Sequence, residues 1–141
     1  ANKWINLNPN LIGVHLNNKG YLPSGETIED LIPISKNYNC CGIIAACVSP
    51  EIVDLAIPKL TNQNLPFGFK VNAFKDIPEN NELESDSWDN GYPTERYGTR
   101  ADKFNPVVFK KFVESKFQDG ATLLGGCCEI KPRHIKALNN I

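Results

Sequence analysis

Short apolar runs alternate along this chain with longer segments whose apolar positions have helical spacing. The apolar runs cover residues 11–16, 40–47, 67–72 and 121–124. Runs of this length, bounded by polar residues, glycine or proline, are typical of buried strands. The pattern therefore predicts four strands, each followed by a helical segment.

The clearest helix is predicted to begin at Asn105-Pro106 and to end at Gly120. Its apolar side chains are predicted to form one stripe, which consists of Val108, Phe109, Phe112, Val113 and Phe117. An earlier helix is predicted to begin at Thr27 and another at Ser49, each with a capping side chain at its start. Pro33 and Pro58 lie inside these two helices, where proline is expected to introduce kinks.

Regular alternation of strands and helices predicts an α/β fold with a parallel sheet. Four βα units are compatible with either a small open sheet or half of an eight-stranded barrel. A closed (β/α)8 barrel needs about 250 residues, so this chain of 141 residues is too short for a whole one. Half a barrel leaves two sheet edges unpaired. The pattern therefore predicts self-association through these edges or pairing with a separate N-terminal half.

A long polar segment, residues 75–103, interrupts the alternation and is rich in proline, asparagine, aspartate and glycine. A segment of this length without periodicity is either a functional lid or partly disordered. Polar and aromatic loop residues that could contact substrate or serve such a lid are Glu26, Trp88, Arg100 and Asp102.

The composition is that of an ordinary soluble chain, with 41% hydrophobic residues and a formal net charge of -1. The chain has no surplus of basic residues that would indicate binding to nucleic acid. No apolar run is long enough to cross a membrane. Five cysteines in a core-rich chain indicate reduced intracellular thiols rather than a secreted disulfide framework. The expected location is therefore the cytoplasm.

Three of the cysteines fall at predicted strand ends. Cys47 ends the second strand, and Cys127 and Cys128 follow the fourth strand after Gly125-Gly126. Because chemistry in parallel α/β folds lies at the carboxyl ends of strands, these thiols are expected at the same edge of the sheet. The paired glycines are expected to adopt positive φ values and to let the backbone approach a ligand closely.

Cys40 and Cys41 lie at the opposite end of the second strand. At about 3.3 Å per residue, Cys41 is roughly 20 Å from Cys47, too far to share a metal ion. Three thiolates with one open position are typical of a catalytic zinc site rather than a structural one. The open position suits an incoming thiol, since zinc would lower the pKa of that thiol. We therefore expect alkyl transfer to sulfur rather than hydrolysis.

Two further polar residues lie near this predicted site. Asn72 ends the third strand, where it is predicted either to orient substrate or supply an oxygen ligand, or to serve only a turn. His134 lies in the first turn of the last helix, where a packing or capping role is expected rather than metal binding.

Several segments resemble the homocysteine S-methyltransferase family. Residues 120–128 (GATLLGGCC), followed by Pro132-x-His134-Ile135, resemble the C-terminal signature of that family. Residues 47–51 (CVSPE) resemble its upstream cysteine motif, and residues 71–74 (VNAF) are similar to a connecting segment in bacterial-type members. The sequence Arg100-x-Asp102 followed by Pro106 is similar to another such segment. The resemblance extends from about residue 11 onward.

The resemblance implies a (β/α)8 TIM barrel whose second half is formed by residues 1–141. It implies zinc bound through Cys47, Cys127 and Cys128. It also implies methyl transfer from S-methylmethionine, or a similar sulfonium or ammonium donor, to homocysteine. The product is methionine, so the implied process is methionine biosynthesis.

The chain departs from the family pattern in places. The acidic, glycine-rich motif of the family's N-terminal half, which helps hold homocysteine, has no match here. Ala46 stands where many relatives carry Asn, and Glu129 stands where Gly is common. The isolated chain is therefore expected to be inactive. The alternative interpretation is a zinc-binding accessory module without methyltransferase activity of its own.

Overall fold

The computed structural model of the chain describes residues 10–75, 95, 97–100, 102–139 and 141. The strands are β1 (Asn10–Val14), β2 (Cys40–Val48), β3 (Phe67–Val71) and β4 (Leu123–Gly126). A 3-10 helix (Ile28–Asp30) precedes α1 (Leu31–Asn37), and the later helices are α2 (Pro50–Leu60), α3 (Pro106–Gln118) and α4 (Pro132–Lys136). Most of the predicted polar loop, including Trp88, lies outside the described residues.

The four strands form one sheet in the order β1-β2-β3-β4, and every neighbouring pair is parallel. Consecutive strands are therefore also neighbours in space, with β1 and β4 at the two edges. This arrangement confirms the predicted α/β class with a parallel sheet. None of the helices in the described ranges is long and apolar enough to cross a bilayer.

The helix starts follow the predicted capping signals in part. Asn105 accepts hydrogen bonds from the N–H groups of Val107 and Val108 at 3.0 and 3.1 Å, which caps α3. The helix predicted to begin at Thr27 is instead a 3-10 turn followed by α1. Pro33 consequently lies in the first turn of α1, where its missing N–H leaves no helical bond unmade. The expectation of an internal kink at this proline is therefore wrong.

One hydrophobic cluster joins the sheet to the helices. Its buried members in the strands are Ile43, Ala45, Val48, Phe67, Phe69 and Val71, and those in the helices are Ile52, Val53, Ala56, Ile57, Leu60, Phe109 and Val113. Ile28 of the 3-10 helix also belongs to this cluster, and Leu31 and Ile32 of α1 pack against it. Since these helical elements share one cluster, α1, α2 and α3 cover the same side of the sheet.

The other side of the sheet is less completely covered. Ile44 and Ala46 alternate along β2 with the buried Ile43 and Ala45, and both are only half-buried. Although its sequence is apolar on both faces, β2 is fully buried on its helix side alone.

The predicted apolar stripe of α3 is narrower than expected. Phe109 and Val113 are fully buried, and Phe112 packs partly buried against the cluster. Val108 is 41% exposed and Phe117 is 49% exposed. The expectation that all five residues share the core face is therefore wrong for these two, which lie on the flanks of the stripe.

Candidate metal centre at the carboxyl ends of the strands

The three predicted cysteines meet at one edge of the sheet. Cys47 lies near the end of β2, and Cys127 and Cys128 directly follow β4. Their sulfur atoms all lie within 4.8 Å of one another. The Sγ atoms of Cys47 and Cys128 are 3.7 Å apart, and those of Cys127 and Cys128 are 3.9 Å apart. We call these three residues the thiol cluster.

The spacing of the thiol cluster fits a zinc ion. Tetrahedral zinc with bonds of about 2.3 Å to sulfur places its ligand sulfurs about 3.8 Å from one another. The two sulfur–sulfur distances of 3.7 and 3.9 Å lie on either side of that value. Among the described residues, no histidine, carboxylate or further cysteine joins this group. The cluster therefore offers three soft donors to a metal ion.

The surroundings of the cluster keep two of its thiols protonated. Burial, which is the largest cause, and contacts with Cys127 and Cys128 together raise the pKa of Cys47 to about 12. Partial burial of its sulfur and the neighbouring Cys127 also raise the pKa of Cys128. These two thiols therefore retain their protons at neutral pH unless a positive charge is bound between them. A divalent metal ion held by these thiols would have to displace the protons.

The backbone conformation at Cys47 directs its side chain. Ala46 pairs with Lys70 and Val48 pairs with Val71, so Cys47 is an extra residue in β2 opposite β3. Its φ is 55°, in the left-handed region, which costs about 1–2 kcal/mol for a residue other than glycine. Such a bulge re-aims a side chain at the end of a strand. The sequence carries no signal for it, since neither glycine nor asparagine occupies the position.

A turn after β4 brings the two adjacent thiols together. The N–H of Cys127 donates to the carbonyl of Val71 at 2.7 Å, and the N–H of Ile130 donates to the carbonyl of Cys127 at 3.1 Å. Glu129 has a φ of 65°, so the chain reverses immediately after Cys128. The chain therefore bends at the point where the two adjacent thiols converge.

The glycines before the cysteines serve a different purpose from the expected one. Neither Gly125 nor Gly126 has a positive φ; the left-handed residues here are Cys47 and Glu129. A Cβ atom on Gly126 would lie 2.3 Å from the Ile130 side chain, so glycine makes room for the turn. The expectation of positive φ values at these glycines is wrong.

Asn72 is hydrogen-bonded to the backbone of Cys47 and is not exposed to solvent. Its side chain is fully buried. Its Nδ2 donates to the carbonyl of Cys47 at 2.8 Å, and its Oδ1 accepts the N–H of Phe74 at 3.1 Å. Contact between Asn72 and substrate stays a prediction, but the amide is already bonded to the backbone.

A polar link connects the two strand ends that carry the cysteines. Arg100 forms an ion pair with Glu51 at 2.5 Å, and its Nε donates to the carbonyl of Phe74 at 2.8 Å. Thr99 donates from Oγ1 to the carboxylate of Glu129 at 3.4 Å. Beside this link lies a cavity of about 520 Å³, whose lining includes Arg100 and Asp102. These two loop residues therefore lie near the start of α2, and that helix begins three residues after Cys47.

His134 has a structural role, as predicted. It is fully buried, with Nδ1 accepting the N–H of Lys131 at 2.9 Å and Nε2 3.1 Å from the carbonyl of Phe104. Its ring also packs edge-on against Phe109. The histidine therefore caps the start of α4 and joins that helix to α3.

Known proteins share sequence similarity with this chain. A family model described as homocysteine S-methyltransferase matches residues 3–141. Homocysteine S-methyltransferase 1 of Brassica oleracea var. italica is 27% identical over 119 residues, which are 83% of this chain and 32% of the relative. The chain therefore spans about a third of the length of that curated relative. The comparison with solved structures gives no match.

Proposed function

The chain belongs to the homocysteine S-methyltransferase family, and we propose that it supplies the metal-binding part of an enzyme that methylates homocysteine. Its zinc ligands are Cys47, Cys127 and Cys128. The observation that carries this proposal is the convergence of three thiols at one strand edge, within 4.8 Å of one another. The cytoplasmic location and the absence of nucleic-acid partners stay predictions.

The arrangement of the strands supports a barrel origin for the sheet. The strands follow their sequence order and are all parallel, and their helices pack into one cluster on one side. A doubly wound sheet would carry helices on both sides, whereas a (β/α)8 barrel carries them on the outside alone. We therefore assign residues 1–141 to the C-terminal half of such a barrel, with β1 and β4 as the edges that pair with the other half.

The three metal-binding cysteines come from two separate places in the chain. Cys47 presents its thiol from the bulge in β2, and Cys127 and Cys128 present theirs from the turn after β4. When bound, zinc supplies a Lewis acid that lowers the pKa of a substrate thiol at the fourth position. Once their protons are displaced, the three thiolates would carry the negative charge that holds the ion.

The reaction itself exchanges one carbon–sulfur bond for another. The homocysteine thiol gives up its proton to solvent. A bond then forms between the homocysteine sulfur and the methyl carbon as the bond from that carbon to the donor's sulfonium sulfur breaks. With S-methylmethionine as donor, both products are methionine. The reacting atoms must be aligned at near-contact distance, and the family's acidic, glycine-rich homocysteine motif is absent from these residues.

A methyl-transfer assay tests this proposal. Zinc-loaded chain and an upstream-extended chain are each incubated with S-methylmethionine and homocysteine, and methionine is measured. We expect methionine from the extended chain only, and none from the extended chain carrying Cys128→Ser. Full activity of the 141-residue chain as a monomer would refute the half-barrel assignment. Zinc binding without methyl transfer by the extended chain would instead favour the accessory module.

A further inference from the structure

Three consecutive residues at the end of β3 each contact the backbone of one cysteine in the thiol cluster. All three contacts are hydrogen bonds of 3.0 Å or less. They are Cys127 N–H to Val71 O at 2.7 Å, Asn72 Nδ2 to Cys47 O at 2.8 Å, and Ala73 N–H to Cys128 O at 3.0 Å. The end of β3 therefore fixes the position of both strand ends that supply thiols.

The three contacts differ in what they require of the sequence. Val71 and Ala73 use main-chain atoms, which nearly any residue could provide. Asn72 uses its side-chain amide, so this contact alone depends on residue identity. It also reaches the cysteine whose backbone is least regular, because Cys47 is the extra residue of the bulge and has a φ of 55°.

The surroundings of Asn72 leave its amide one orientation. The N–H of Phe74 is a donor and must face Oδ1, whereas the carbonyl of Cys47 is an acceptor and must face Nδ2. The side chain is fully buried. A buried backbone carbonyl without a donor is costly, so this amide stabilises the bulged conformation that aims Cys47 at the cluster.

We infer that Asn72 is a positioning residue of the thiol cluster, which holds the bulged Cys47 backbone so that its sulfur reaches Cys128. The inference rests on the proposed function only in treating the three thiols as metal ligands. In Asn72→Asp, a carboxylate oxygen would replace the donor opposite the Cys47 carbonyl, at nearly unchanged size. In Asn72→Ala, the Cys47 carbonyl and the Phe74 N–H would both lose their partner.

Metal affinity provides the first test. Zinc affinity is measured by chelator competition, and the absorption bands of bound Co²⁺ report the thiolate geometry. Loss of a group that orients a metal ligand typically lowers affinity about 10-fold to 100-fold, and we expect this for Asn72→Asp and Asn72→Ala. The matched control is Ser35→Ala, which removes a buried hydroxyl bonded to the carbonyl of Ile32 in α1. We expect the control to retain wild-type affinity and spectrum.

A purely structural role for Asn72 would give a different result. The Asn72 variants would then unfold at lower temperature, as Ser35→Ala would, but those that remain folded by circular dichroism would keep wild-type zinc affinity and Co²⁺ bands. That outcome would overturn the inference. Asn72→Asp conserves side-chain size, so it serves as the second variant should Asn72→Ala fail to fold.

A second test needs neither metal nor activity. In a Cys40→Ala, Cys41→Ala, Cys127→Ser background, dibromobimane becomes fluorescent when it bridges Cys47 and Cys128. We expect bridging in this background and with added Ser35→Ala, and several-fold less with added Asn72→Asp. Undiminished bridging with Asn72→Asp would overturn the inference. If the wild-type chain bound no zinc, the proposed function would fail, whereas this experiment would still decide the role of Asn72.

Discussion

The two ends of β2 each combine a cysteine with an irregularity in strand pairing, yet they differ in outcome. At the start of the strand, Asn10 pairs with Cys40 and Leu11 with Gly42, which leaves Cys41 as the extra residue. At the other end, Cys47 is the extra residue opposite β3. Cys41 points into solvent beside a buried Cys40, whereas Cys47 lies 3.7 Å from a second thiol.

The comparison shows that a bulge with a cysteine does not by itself make a ligand site. Cys47 differs from Cys41 in having a left-handed φ, a carbonyl held by Asn72 and a neighbouring strand end that supplies two more thiols. Adjacent cysteines are equally insufficient. Cys40 and Cys41 differ in burial, as expected for neighbours in a strand, whereas Cys127 and Cys128 converge because they lie in a turn.

The largest expected difference between the two ends of β2 is in metal binding. We expect about one zinc per chain, and a loss of affinity of about a hundredfold or more in Cys47→Ser, Cys127→Ser or Cys128→Ser, because each removes a ligand. Cys40→Ser and Cys41→Ser should leave affinity unchanged. Elemental analysis and chelator competition measure this. Undiminished zinc in Cys127→Ser, or loss of zinc in Cys41→Ser, would contradict the assignment.

The pH dependence of zinc affinity sharpens the same comparison. The pKa of Cys47 is raised to about 12, so its proton must be displaced by the metal at neutral pH. Each such thiol makes the zinc affinity rise about tenfold per pH unit. We therefore expect affinity to rise with pH between about 6 and 8, with a slope lower by about one logarithmic unit in Cys47→Ser. An unchanged slope in that variant would count against ligation by Cys47. Cys41→Ser is the control.

A smaller effect is expected in thiol reactivity. Zinc should protect the exposed Cys128 several-fold from alkylation, whereas the exposed Cys41 should react equally with and without the metal. After chelation and oxidant treatment, Cys127 and Cys128 should be modified before the buried Cys40. Mass spectrometry of the peptides measures both. Modification of Cys40 before Cys127 and Cys128 would contradict this prediction. Protection of Cys41 by zinc equal to that of Cys128 would contradict it as well.

The sequence was sufficient to predict that the thiols converge. Hydrophobic runs located the strands, and the parallel alternation placed Cys47, Cys127 and Cys128 at one edge. This succeeded because the order of elements depends on patterns spread over many residues. The cap at Asn105 could be predicted for the opposite reason, because side-chain capping involves only neighbouring N–H groups.

The details that aim the thiols could not be predicted. The sequence around Cys47 favours a regular strand, and the bulge depends on Asn72, 25 residues away in the chain. The paired glycines suggested left-handed backbone, but Gly126 is required by the bulk of Ile130. The flank of α3 that carries Phe117 is exposed because packing, not helical spacing, decides how wide a buried stripe becomes.

The bulge at Cys47 also affects how such a site can be inherited or transplanted. In a regular strand, inserting one residue upstream would turn every later side chain to the opposite face. Here the direction of Cys47 is set by the bulge opposite β3 at the strand end, so it does not follow from the alternation of side chains in the interior of β2. A protein designer could accordingly graft the three strand ends and their turn onto another parallel sheet as a single cassette.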